Sequence, residues 1–204
     1  MTTIQERFQQ GMTTEEYLLQ MTQKRERLEE NERTVSLAVE DLQFFAQLPH
    51  LLHVMVLTED WCEPAIANVP VLMRLATESN KLNLRFFLRD HNPDLMSQYL
   101  KDGVYATIPT FVFFNHAFRE IGRWYETPAK IKNMTHELMQ ELFATDPAFA
   151  SVLFNTPIPQ LPDAARMRMI QALKEFRIKT RELGDQEVVN EIKEIVKHGF
   201  AADT

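Results

Sequence analysis

The chain lacks a second cysteine. With Cys62 as the single cysteine in 204 residues, an intramolecular disulfide and any all-cysteine zinc site are excluded. It also lacks a positive balance: 22 Lys and Arg against 29 Asp and Glu give a formal charge of −7. General binding to nucleic acid or to an anionic membrane needs a basic face, so neither is an expected partner. Long hydrophobic runs are missing as well. The longest, such as Ile108 to Phe114, are too short and too interrupted to cross a bilayer. The N-terminal residues carry no signal-peptide pattern, so a reducing cytoplasm is the expected compartment. No internal repeat or low-complexity tract occurs. The histidines His50, His53, His91, His116, His136 and His198 show no HExxH or other strong ligand spacing, so no metal site is expected.

Hydrophobic residues make up 45% of the chain, enough for a sizeable core and too many for wholesale disorder. The first dozen residues are polar and read as frayed. Thr13 followed by Glu16 reads as a capping box, opening a helix from about 14 to 31 with a thin stripe of Tyr17, Leu18, Met21 and Leu28. A second helix is expected over about 35 to 47, ended by Pro49. The apolar run His53 to Thr58 reads as a buried strand. A helix follows from Cys62 to about Ser79, with Pro70 inside it. Asn83 to Arg89 is the next strand, and Asn92 with Pro93 starts a helix that Gly103 closes. Strands at 110–115 and 118–123 form a hairpin through His116 and Ala117. Thr127 and Pro128 then open a last core helix.

Residues 146–162 hold Pro147, Pro157, Pro159 and Pro162 and read as an extended linker. Two helices follow, Asp163 to about Leu183, stopped by Gly184, and Asp185 to about His198, stopped by Gly199. The expected division is 1–145 as an α/β domain with N-terminal helices, 146–162 as a proline-rich linker, and 163–204 as a C-terminal helical extension. That extension is expected to bury its apolar residues within the subunit or in a homodimer.

Cys62 is the sharpest chemical candidate. A strand delivers it to the first turn of a helix, where unpaired N–H groups and the positive helix end favour a thiolate. Glu59, Asp60 and Glu63 surround the sulfur with charge of the opposite effect, each opposing the thiolate by about 1 kcal/mol or less. The helix end contributes about 0.3–1 kcal/mol in return, so moderate reactivity is expected. Arg85 and Arg89 read as partners of local acids, and Met134, Met139, Met167 and Met169 as core filler.

Trp61-Cys62-Glu63-Pro64-Ala65, after a buried strand, resembles the Trp-Cys-x-x-Cys signature of the thioredoxin family. Pro70 falls where that family carries a helix-kinking proline. Thr107-Ile108-Pro109-Thr110 resembles its Ile-Pro-Thr segment, and Gly122 falls at its late glycine. The resemblance spans His50 to Ala144. It implies an α/β three-layer fold with a mixed central sheet in the order β-α-β-α-β-β-α, here with N-terminal helices and a C-terminal extension. It also implies a cis Ile108-Pro109 bond beside Cys62, with Ile108 offering a backbone edge to an extended peptide or glutathione.

Two departures bear on chemistry. Ala65 stands where the resolving cysteine would be, and Val56 where many members bury an acid. The expected function is thiol-disulfide chemistry on protein or low-molecular-weight disulfides. Cys62 is the catalytic residue, and Trp61, Glu63, Pro64, Ala65, Ile108 and Pro109 bind substrate. No bound cofactor is expected, with glutathione or another small thiol as co-substrate. The alternative is an inactive thioredoxin-fold binding module, homodimeric through its C-terminal helices.

Overall fold

The computed structural model describes residues 3–201, apart from the side chain of Ala201. Four strands form one mixed sheet: β1 (Leu52–Thr58), β2 (Leu82–Leu88), β3 (Thr110–Phe114) and β4 (Glu120–Tyr125). Their order across the sheet is β2-β1-β3-β4. β1 runs parallel to β2 and antiparallel to β3, and β3 runs antiparallel to β4. The crossover from β1 to β2 is α5 (Glu63–Ser79), and α6 (Pro93–Met96) precedes β3. β1 is buried on both faces, as its unbroken Val-Met-Val-Leu run requires, because helices cover a parallel sheet on either side. α5 continues through Pro70 and ends at Asn80, which takes a left-handed conformation.

The N-terminal helices are α1 (Ile4–Gln9), α2 (Thr14–Gln20), α3 (Arg25–Thr34) and α4 (Val39–Ala46). Residues 3–12 are ordered, contrary to the sequence expectation, of which residues 1 and 2 lie outside the described residues. Thr3 and Glu6 form a capping box, and Phe8 is fully buried against the rings of His53 and Phe118. Met12 exchanges two backbone hydrogen bonds with Phe86, at 3.0 and 2.8 Å, covering the free edge of β2.

The expected 14–31 helix is two helices. The break at Met21–Lys24 exists because the Asp60 carboxylate, distant in sequence, accepts the backbone N–H groups of Thr22 and Gln23 at 2.8 and 3.0 Å. The helix expected to run to Gly103 also stops short, at Met96. The β3–β4 turn is longer than two residues: the Asn115 side-chain oxygen accepts from Ala117 and Arg119, both at 3.0 Å, and Phe118 takes φ +58°.

The chain divides into two compact units, 1–127 with 188–204, and 128–187. The second unit holds α7 (Ala129–Thr145), α8 (Asp163–Lys179) and the start of α9 (Arg181–Ala201). Its core is Leu142, Phe149, Leu161, Ala165, Met169 and Ala172. Residues 146–162 are packed rather than extended, with two short 3₁₀ turns and both Phe149 and Leu161 buried.

The remainder of α9 belongs to the first unit. Val188, Val189, Ile192 and Val196 enter the core that the sheet builds. Trp124 Nε1 donates to Glu191 at 2.6 Å, and Lys193 pairs with the buried carboxylate of Asp41. Gly184 and Gly199 do not stop helices: the break falls at Thr180, and α9 runs through both glycines. At Gly199 the reason is close approach, since an added Cβ would lie 2.4 Å from Ile121 Cβ. At Gly122 on β4 it would lie 2.6 Å from Ile195 Cγ2.

Candidate active site

The pairing of Leu57 with Thr110 brings the end of β1 beside the start of β3. Two loops therefore meet at one edge: Glu59 to Cys62 leaving β1, and Thr107 to Pro109 entering β3. Cys62 is the N-cap residue of α5, with extended backbone at φ −75° and ψ 116°. Its thiol lies 3.5 Å from the Ile108 carbonyl oxygen, to which it donates. The Ile108–Pro109 bond is cis. Thr110 Oγ1 donates to the Thr107 carbonyl at 2.7 Å across that loop.

Cys62 is buried, only 5% exposed. Burial pushes its thiol above the ordinary range, because an uncompensated thiolate there would lose its hydration. The Ala65 backbone N–H works against that rise, the Glu126 carboxylate adds to it, and Lys24 and Arg89 pull down. The hydrogen bond to Ile108 also needs the sulfur's proton.

The acids around the sulfur are occupied. Glu59 accepts from the Asp90 N–H at 2.8 Å. Asp60 accepts from Thr22 N–H, Thr22 Oγ1 and Gln23 N–H at 2.8, 3.1 and 3.0 Å. Glu63 pairs with Lys24 at 2.7 Å and with Arg27. Burial alone would raise its carboxyl, but the two cations outweigh that and hold it at about 2. Lys24 Nζ also donates to the Trp61 carbonyl at 2.5 Å.

Of the other expected site residues, Trp61 is 40% exposed, with the Arg89 guanidinium carbon 5.0 Å from its ring centre. Arg89 thus meets an aromatic face as well as a local acid, Asp90 at 2.9 Å. Pro64 is half-buried. Ala65 is fully buried and faces the core, as does Val56 in mid-strand. Ile108 and Pro109 are both buried.

Sequence reasoning missed Asn68, Glu126, Lys24 and Arg27. Buried Asn68 donates to the carbonyls of Pro64 at 3.0 Å and Glu126 at 2.8 Å, tying the first turn of α5 to the loop after β4. Glu126 N–H donates to the Pro109 carbonyl at 2.7 Å, and Glu126 holds φ +62°, a conformation costly outside glycine. No local pattern marks these residues, since each acts across a long sequence separation. Among the described residues, no group of three or more His, Cys, Asp or Glu could hold a metal ion. No helix among them is long and apolar enough to cross a membrane.

The sequence model of a family described as thioredoxin matches residues 11–141. No curated protein matches the chain. The crystal structure of a protein of unknown function from Pseudomonas aeruginosa is similar with TM-score 0.67 at 13% identity, covering 97% of this chain and 98% of that one. The crystal structure of an HIV epitope-scaffold is similar with TM-score 0.65 at 12% identity, covering 96% and 98%. At these identities the likeness is one of fold.

Proposed function

The chain belongs to the thioredoxin family matched over residues 11–141, and from that premise we propose that it performs single-cysteine thiol-disulfide exchange at Cys62. The observation that carries this reading is the meeting of Cys62 Sγ with the Ile108 carbonyl at the start of α5. A sulfur so placed sits at a helix end and beside an extended backbone segment, the two features a disulfide substrate needs.

In the first step the Cys62 thiol gives its proton to solvent or substrate. The thiolate attacks one sulfur of a disulfide; a Cys62–substrate bond forms, the original S–S bond breaks, and the second sulfur leaves as a thiolate that takes up a proton. Ala65 cannot attack the mixed disulfide. A second, external thiol such as glutathione does so: its sulfur bonds to the substrate sulfur, and Cys62 returns as the thiol. Substrates are protein or low-molecular-weight disulfides, and the proposed compartment is the cytoplasm.

The experiment is incubation with oxidised glutathione at neutral pH followed by intact mass. A slow gain of one glutathionyl group, reversed by added thiol and absent in Cys62→Ser, is expected. Inertness of the folded protein, with reaction only on unfolding, would overturn the reading. It would favour a binding module without redox activity, which the burial and raised pKa of Cys62 support as the second reading.

A further inference from the structure

We infer that the segment joining α2 to α3 is a strap that holds Cys62 closed, that Lys24 is its positioning residue, and that local opening of this strap admits substrate to the sulfur. The inference rests on Cys62 as the reactive group.

The contacts have one polarity. In the contacts that follow, the donor lies on the N-terminal arm and the acceptor on the cysteine loop or the start of α5. Thr22 and Gln23 give three hydrogen bonds to Asp60. Lys24 gives one to the Trp61 carbonyl and one to Glu63. Arg27 adds to Glu63, and Asn31 Nδ2 donates to the Ile66 carbonyl at 2.7 Å. The attachment points thus flank Cys62 on both sides, and the residue between them is 5% exposed.

The strap does not hold itself in shape. Lys24 sits at φ +54°, a left-handed conformation for a residue with a side chain. As the N-cap of α3 it supplies no side-chain cap. The turn therefore depends on acceptors contributed by the cysteine loop, the condition under which a segment opens locally below the cost of global unfolding. Buried Met21 and Leu28 anchor the arm on either side, which confines the opening to the residues between them.

Two effects of removing Lys24 oppose each other, and their sign decides the matter. If its charge acts only electrostatically, removal raises the Cys62 pKa and slows the sulfur. If it holds the strap, removal relieves burial, the first cause of the raised pKa, and speeds the sulfur.

The test is the rate of Cys62 alkylation by neutral iodoacetamide in the full chain at about pH 8. The uncharged change Thr22→Val should accelerate it about three- to tenfold, the factor one lost hydrogen bond is worth, and Lys24→Ala, which loses two, by at least as much. The midpoint of the pH profile should fall in both, and Lys24→Arg should stay near the unmodified rate. Slower alkylation in Lys24→Ala with no change in Thr22→Val overturns the strap.

A variant-free measurement guards against misfolding. In the unmodified protein, labelling should be insensitive to urea below the unfolding transition and faster in about 1 M salt, which screens the Lys24 and Arg27 pairs with Glu63. Labelling that follows global unfolding in urea overturns the strap. Variants that alkylate faster yet never form mixed disulfides would sink the redox reading and leave the strap standing.

Discussion

Gly184 and Gly199 lie in one helix, and the same substitution should move stability in opposite directions at the two. Gly to Ala in a helix gains about 1 kcal/mol from propensity and about 0.4–1 kcal/mol from a less flexible unfolded chain, two overlapping descriptions of much the same effect. At Gly184 the nearest atom to an added Cβ is Ile131 Cγ1 at 3.8 Å, an ordinary contact. The gain is kept, and Gly184→Ala should stabilise by about 1 kcal/mol. At Gly199 the added Cβ meets Ile121 Cβ at 2.4 Å, with two further Ile121 atoms at 3.1 Å. A Cβ fixed to a strand backbone cannot rotate away, so helix and sheet must separate. Overpacking of this kind costs about 1–3 kcal/mol. The last turn of α9 also gains less than an interior position. Gly199→Ala should therefore destabilise by about 1–2 kcal/mol, the overpacking cost less a fraction of the propensity gain. Thermal unfolding followed by circular dichroism reads both, since 1 kcal/mol is about 2–4 °C at this chain length. A rise in Tm for Gly199→Ala would mean that α9 does not approach β4 this closely.

Further outcomes follow from the charged groups. Lys193→Ala takes the ammonium from the buried carboxylate of Asp41 and should cost more in urea unfolding than the about 1 kcal/mol of a surface pair; a smaller loss would make the pair a surface contact. The Glu63 carboxyl is held at about 2 against an ordinary 4.5. Its contribution is thus present above about 4.5 and lost as pH falls toward 2, and Glu63→Gln should flatten the acid side of the stability profile in that window. Alkylation of Cys62 should rise only above the ordinary thiol range, and Glu126→Gln, which removes a charge that opposes the thiolate, should move that rise to lower pH; an unmoved profile would place Glu126 too far away to act.

The sheet and its crossover were legible because their causes are local. The Val54 to Leu57 run, the apolar face of α5 and the Leu84, Phe86 and Leu88 alternation each carry their own period. The Cys62 and Ile108 meeting was legible through motif order. What failed depended on distant partners. The break after Met21 needs Asp60, and the order of residues 3–12 needs His53, Phe86 and Phe118 around Phe8 and Met12. The expected stop at Gly199 fails for a related reason: in sequence a glycine marks a helix end or a close approach with equal force, and there only the neighbouring β4 decides between them.

The acids of the cysteine loop give the same lesson in energetic form. Counted along the sequence, Glu59, Asp60 and Glu63 oppose a thiolate and offset the helix end. In the fold each is committed: Glu59 to the Asp90 amide, Asp60 to the α2–α3 segment, Glu63 to two cations. The balance at the sulfur is then set by burial, by the Ile108 acceptor and by a carboxylate, Glu126, that enters from beyond β4. Asp60 and Glu63 do not so much tune Cys62 directly as fasten an arm beside it. Chemistry at this sulfur is thereby coupled to the stability of a short turn that contributes no atom to the reaction. A loop bound to its own N-terminal arm through Asp60 and Glu63 holds its cysteine among buried groups, and burial comes first among the causes that keep that thiol protonated.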